Sequence, residues 1–444
     1  MASNPIINMF KVKEIRDRLF FTFLILAVFR LGSVLTVPGI DANVLIKYFD
    51  DLAAQNKNAF ASYMDFFVGG AFSNFSILML GVMPYISMQI IMQLAVIIFP
   101  SLKRISQEDG GQRKIAHYTR IGTIIVCVIQ AWGMSVYANS IPGCIVIENK
   151  MAFKALFLVT VTTGSMVTVW LGDQITARGI GNGISMMIFA GIVARLPNAI
   201  VELSQKVKAG EIQLVFVILV IIMFIAIIGL VIFEESGQRK IPVHYAKRVV
   251  GRKMYGGQST YIPFKVNPSN VIPLIFANSI LTMPLMFVQS VAKGENSARW
   301  LGSVARVLTP NGIWYNILLV TLIIFFAYFY TQVTLNPTEI AKNIRENGGS
   351  IPNVRTDKTE EYLAKILNRL ILPGALFLAL IAIIPTLIQS WFGFPQSISQ
   401  LMGGTSLIIL IGVDLDTMSQ VEALLKMHHH EGLTKKGKIR SRSL

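Results

Sequence analysis

The chain has 444 residues, of which 53% are hydrophobic and only 14% charged, with a mean hydropathy of +0.58. Ordinary soluble domains carry about 25% charged residues, so this composition excludes one and indicates a membrane protein. A net charge of +16 then reports topology and attraction to anionic lipid, and its location matters more than its sum. Cys127 falls in an apolar run and Cys144 in a polar loop, too few cysteines for a disulfide framework or a four-cysteine metal site.

A helix needs roughly 20 mainly apolar residues to cross the hydrocarbon core. Ten stretches meet that length: 19–38, 76–99, 121–138, 155–172, 183–201, 212–233, 271–291, 312–335, 370–392 and 400–422. The first is read as a retained span, because further apolar runs follow it and no small-residue cleavage site is evident. It carries Arg30, which should pair with polar groups inside the bundle, since a mid-span arginine costs about 3 kcal/mol on insertion scales. Before the second span, "MDFFVGGAFSNF" (64–75) is apolar but too short to cross, and its paired glycines let it fold back as an interfacial or re-entrant piece. The second span contains Pro84, expected to disfavour a straight helix, and the seventh contains Pro273 and Pro284. Gln93, Gln130 and Asn278 place amides on the second, third and seventh spans, where each would seek a partner on a neighbouring helix.

With the amino terminus in the cytosol, most of the 40 Lys and Arg fall on cytosolic segments, so both termini are expected there. Five spans precede residue 210 and five follow, which gives two inverted halves, 1–203 and 214–422, joined by a hinge "SQKVKAGEIQ" (204–213) and followed by a basic tail, 423–444. Two cytosolic segments stand out, 234–265 and 336–369. The first clusters Lys240, Lys247, Arg248, Arg252 and Lys253 with His244, Tyr245 and Tyr255 and no acidic residue over 240–257. It is long enough to stand off the lipid as a structured hairpin, and so reads as a docking surface.

Other motifs carry no chemistry. "GLTKKGKI" (432–439) ends in Ile439 where a phosphate-binding loop needs a hydroxyl, and no strand precedes it. "HHH" (428–430) reads as a solvated tail, and "GIGNG" (179–183) as a flexible cytosolic turn rather than a dinucleotide fingerprint. Nucleophile constellations and paired carboxylates are missing from the sequence, so no enzyme and no cofactor is indicated. A secondary transporter of inverted-repeat type is the alternative, but the acidic residues within spans, Asp414, Asp416 and Glu422, all sit late in the last helix, weak equipment for ion coupling.

"GVMPYISMQIIMQL" (81–94), "WLGDQITARGIGNGISMMIFAGIV" (170–193), "HYAKR" (244–248), "KVNPSNVIPLIFANSI" (265–280) and "GGTSLIILIGV" (403–413) closely resemble the bacterial SecY family of protein-conducting translocon subunits. The resemblance implies an all-α polytopic fold of ten transmembrane helices, two pseudo-symmetric halves of five arranged as a clamshell around an hourglass pore. It implies a pore ring of Val82, Ile86, Ile184, Ile188, Ile275 and Ile409, where branched aliphatic side chains exclude ions by dewetting and part around a passing chain. Val82 is smaller than the isoleucine usual there. The resemblance also makes 64–75 a plug, with Phe66, Phe67, Val68, Gly69, Gly70, Ala71 and Phe72 at its centre. Ser87, Gln93, Gln130, Asn278 and Ser279 would form the polar seam of a lateral gate that signal sequences part.

Docking of the ribosome and of the motor SecA is implied at Lys247, Arg248, Arg252, Lys253 and, in "GGSIPNVRTDKTEE" (348–361), Arg355. Lys253 stands where a second arginine is usual, and glycines and a proline usual around Arg355 are missing. The implied partners are SecE, SecG, SecA, the ribosome, signal sequences and nascent chains, anionic lipid, and SecDF and YidC. The implied location is the bacterial plasma membrane.

Overall fold

The computed structural model describes residues 12–54, 68–139, 141–210, 213–245, 248–250, 253–255, 259–281, 312–392, 399 and 404–435. Its helices are α1 Lys13–Gly32, α2 Ala42–Ala54, α3 Met83–Ile98, α4 Pro100–Gln107, α5 Gly111–Asn139, α6 Lys150–Arg178, α7 Gly183–Lys208, α8 Leu214–Ser236, α9 Ile272–Leu281, α10 Ile313–Thr334, α11 Pro337–Glu346, α12 Thr359–Phe392 and α13 Gly404–Lys435. Among the described residues six helices are long and apolar enough to cross a membrane, and seven if the bent pair α3 and α4 is one span. The chain is thus a polytopic helical membrane protein. Several helices outrun the apolar stretches that mark them: α5, α6 and α7 extend into polar sequence, α7 to Lys208, and α12 begins at Thr359 rather than 370.

The second span departs from expectation. Ser76 forms an isolated bridge with Thr36, residues 77–82 are turns, and the helix begins only at Met83. Pro84 therefore sits in the first turn, where its missing N–H is not needed, and it produces no kink. The break falls at Pro100 instead, where α3 and α4 meet at 101°. Proline restricts the residue before it, and Phe99 is extended (φ −99°, ψ 110°) between the two helices. Pro273 likewise lies in the first turn of α9, and Pro284 lies outside the described residues.

Two compact units divide the chain. The first comprises 1–198, 289–297 and 409–444, and the second 199–288 and 298–408. In the first unit the "GIGNG" turn is not a loose connector. Thr22 Oγ1 accepts from the Ile180 N–H at 3.2 Å, Gln420 Oε1 from that of Gly181 at 2.9 Å, and Thr176 Oγ1 from that of Gly183 at 2.8 Å. Ile180 packs with Ile15 and Val421, so the turn is fixed between α1, α6 and α13.

In the second unit the basic segment 234–265 forms strands. β1 Gln238–Tyr245 pairs antiparallel with β4 Ser259–Lys265 from Gln238 opposite Lys265 to His244 opposite Ser259. Between them, β2 Arg248–Val250 pairs with β3 Lys253–Tyr255. The hairpin expected from length is present, and it gains a third strand. β5 Gly349–Ser350 joins β1 opposite His244 and Tyr245. Ile241, Val243 and Phe264 from the sheet close a core with Ala341 and Ile344 of α11, Ile351, and Leu363 and Leu367 of α12. Asn336 caps α11, its side chain accepting from the Thr338 N–H at 3.1 Å. The 336–369 segment, read as a loop, is therefore mostly helix packed on the sheet.

Candidate functional site

The 64–75 segment is described from Val68 onward, and Phe66 and Phe67 lie outside the described residues. Its described part is buried within the chain: Val68, Ala71, Phe72 and Phe75 are all inaccessible or nearly so. Two successive left-handed glycines, Gly69 (φ +68°) and Gly70 (φ +95°), reverse the chain. A Cβ on Gly69 would come within 2.8 Å of the Gly191 Cα on α7, so only glycine permits this approach. The Phe75 carbonyl accepts from the Val37 N–H and the Leu35 carbonyl from the Ile77 N–H, each at 2.9 Å. Rings then hold the segment from one side: Phe72 and Phe75 lie 6.0 Å apart, Tyr137 stacks on Phe75 at 6.2 Å, and Phe157 follows at 6.4 Å.

Arg30 finds its polar partners here. Its Nη1 donates to the Gly69 carbonyl and, at 3.2 Å, to Ser33 Oγ. Arg195, one turn after Gly191 on α7, donates from Nη2 to Ser73 Oγ at 3.4 Å, and Ser73 Oγ donates in turn to the Gly70 carbonyl at 3.2 Å. Sequence reading did not connect Arg195 to this segment. A charge inside an apolar span was the available signal.

Val82 is the cap residue before α3, and Ile86 follows one turn later with its N–H donating to the Val82 carbonyl at 3.1 Å, so the two share a face. Ile184 and Ile188 repeat that i, i+4 spacing at the start of α7, the first half-buried and the second buried. Ile409 is buried on the second turn of α13. These five belong to the first unit. Ile275, half-buried on the first turn of α9, belongs to the second. All six lie at or just inside the amino-terminal end of a helix.

Among the expected gate residues, Ser87 is buried and its Oγ donates to the Met83 carbonyl at 3.0 Å. Gln93 on α3 and Gln130 on α5 sit on helices that pack together, and the Oε1 of each is buried with no hydrogen-bond partner among the described residues. A buried acceptor left so costs about 1–3 kcal/mol, which favours any group that could satisfy it. Asn278 and Ser279 are buried on α9 in the second unit.

In the basic hairpin, Arg248 pairs opposite Tyr255, and Lys253 opposite Val250. Lys247 and Arg252 lie outside the described residues. Arg355 is exposed and precedes a short 3₁₀ turn, Thr356–Lys358, its carbonyl accepting from the Lys358 N–H at 2.9 Å. Two residues earlier Asn353 is left-handed (φ +62°), filling the role that a glycine would otherwise take. Because β5 joins β1, the two expected docking segments belong to one folded body.

A family model described as SecY matches residues 76–418. The chain belongs to the SecY family. It is 44% identical to the protein translocase subunit SecY of Borreliella burgdorferi over 423 residues, covering 95% of both chains. To the SecY of Escherichia coli K12 it is 40% identical over 448 residues, covering 99% of both. Among solved structures, a protein-conducting channel matches with a TM-score of 0.62 at 19% identity over 92% of each chain. Sec61 in a canine ribosome–channel complex from the endoplasmic reticulum matches at 0.58 and 18% identity, again over 92% of each. A structure concerned with how the SecY plug domain stabilises the closed channel and maintains a membrane seal matches at 0.63 and 19%. At such identities the structures establish the fold.

Proposed function

We infer that this SecY-family chain is the pore-forming subunit of the protein translocon, a passive conduit for unfolded, signal-bearing chains across the membrane and for apolar helices sideways into lipid. The observation that carries this is the buried 68–75 segment, folded back on paired glycines directly before the helix that bears Val82 and Ile86. Such a segment fits a removable stopper behind an aliphatic waist. In this reading Val82, Ile86, Ile184, Ile188, Ile275 and Ile409 form the ring, and Ser87, Gln93, Gln130, Asn278 and Ser279 the seam of the lateral gate. The amide oxygens of Gln93 and Gln130, without a partner among the described residues, make that seam cheap to part.

The chain catalyses nothing itself, and the driving force comes from the translating ribosome or from SecA. Arg248, Lys253 and Arg355, with Lys247 and Arg252, are the docking cations, and SecE and SecG are companion subunits. Anionic lipid, SecDF and YidC are further partners. The chain lies in the bacterial plasma membrane with both termini cytosolic, ordered as halves 1–203 and 214–422 about a hinge at 204–213. Reconstituting the chain with its companion subunits and SecA tests the reading: a signal-bearing preprotein should become protected inside vesicles. Uptake of a small solute with no preprotein protection would replace a channel with a transporter.

A further inference from the structure

We propose that Arg30 and Arg195 form a two-point cationic clamp that sets how readily the 68–75 segment leaves its seat. The inference rests on the plug reading above for its functional meaning, but the seat itself is geometry. The left-handed turn at Gly69 leaves its carbonyl outside any helix or strand ladder, and Arg30 Nη1 takes it. The close approach of Gly69 to Gly191 brings α7 against the segment. Residues four apart on a helix share a face, so Arg195 arrives beside Gly70 and Ser73. The guanidinium carbon of Arg195 lies 3.6 Å from where a Gly70 Cβ would stand, and Nη2 donates to Ser73 Oγ.

The two cations do different work from the aromatic rings on Phe72 and Phe75. Ring contacts reward burial of any apolar segment, whereas the guanidiniums address one carbonyl and one hydroxyl at fixed positions. An arginine does not lose its proton in a protein, so both donors are permanently available. When the segment departs, each guanidinium loses an acceptor within an apolar helix, and restoring those bonds returns the segment to its seat. The bonds to Gly69 and Ser73 are few enough for an entering chain to break.

The test reads the seat directly. Cys127 and Cys144 are fully buried, and both are replaced by Ala so that a single Ala71→Cys thiol, inaccessible in the closed seat, reports opening to a membrane-impermeant maleimide. The full chain is reconstituted with its companion subunits. Arg30→Gln should speed labelling by about ten- to a hundredfold, the loss of one hydrogen bond to a charged group. Arg195→Gln and Ser73→Ala should each speed it by a smaller factor, and Arg30→Lys, which keeps the charge but not the fork, should fall between Arg30→Gln and the parent. Should Arg30→Gln not assemble, Arg30→Lys and Ser73→Ala carry the same measurement. Labelling at the parent rate in all of these variants would overturn the clamp. The plug reading is tested separately by deleting 64–75: a resting conductance unchanged by deletion ends that reading, while the labelling rates still report whether the arginines hold the segment.

Discussion

Gly69 shows how much one missing side chain decides. Alanine there meets two penalties, a left-handed backbone and a Cβ 2.8 Å from the Gly191 Cα. Gly143 shares a left-handed φ of +72° but has nothing within 4 Å of its Cβ position. Comparing Gly69→Ala with Gly143→Ala therefore isolates the clash. Gly143→Ala should cost about 1 kcal/mol and Gly69→Ala clearly more, read as midpoints of thermal unfolding in detergent. Equal losses would mean that α7 shifts to make room. A second residue-scale expectation concerns Cys144, outside the spans. Burial, helped by the neighbouring Asp41 carboxylate, pushes its thiol up to about 11 from 9.0. Thiolate is the reactive form, so at pH 7.5 a maleimide should leave Cys144 unlabelled in the folded chain and label it promptly after denaturation. Rapid native labelling would mean that the loop opens.

At the scale of elements, the sheet of the basic hairpin was legible in the sequence only in outline. Charge clustering and length gave a hairpin, and the strands are there. Its core was not legible, because Val243, Ile344 and Leu363 are separated in the chain and none falls within the ten apolar stretches read from sequence. Leu363 is fully buried in that core, so Leu363→Ala should destabilise it by roughly 2–5 kcal/mol. Limited trypsin digestion should then cut the basic hairpin faster while the spans stay protected. Proline gave the opposite lesson. Pro84 is harmless and Pro100 breaks the helix, since the cost depends on whether the missing N–H was needed, and that depends on where the helix starts. Because β5 ties Arg355 to the hairpin body, its charge can be reversed without unfolding the surface. Arg355→Glu should impair SecA-driven export more than ribosome-driven insertion, measured side by side in inverted vesicles. Equal loss would mean that one shared site serves both partners.

For the whole molecule, six described helices, or seven with α3 and α4 taken as one span, are long and apolar enough to cross, and the stretches that mark them were legible because a bilayer demands long apolar runs whatever the fold. The short apolar segment before the second span was legible for the converse reason, being too greasy for solvent and too short to cross. What holds it was not, because Arg30 and Arg195 lie 165 positions apart in sequence and meet the segment only through α1 and α7. The six residues proposed for the ring came from resemblance to a family, and their position at helix starts became visible only in three dimensions. Ile86, Ile188 and Ile409 replaced together by Gly should make resting vesicles leak ions, since an aliphatic waist is what excludes them.

The passage of a polypeptide through that waist is tested most directly by photocrosslinking an arrested, signal-bearing nascent chain to probes placed at Ile86, Ile409 and, as an outward control, Phe20, which is 70% exposed on α1. Adducts at Ile86 and Ile409 that lengthen with the arrested chain, with none at Phe20, are the expected result. Adducts at Phe20 alone, with Ile86 and Ile409 silent at every chain length, would contradict a central aliphatic pore.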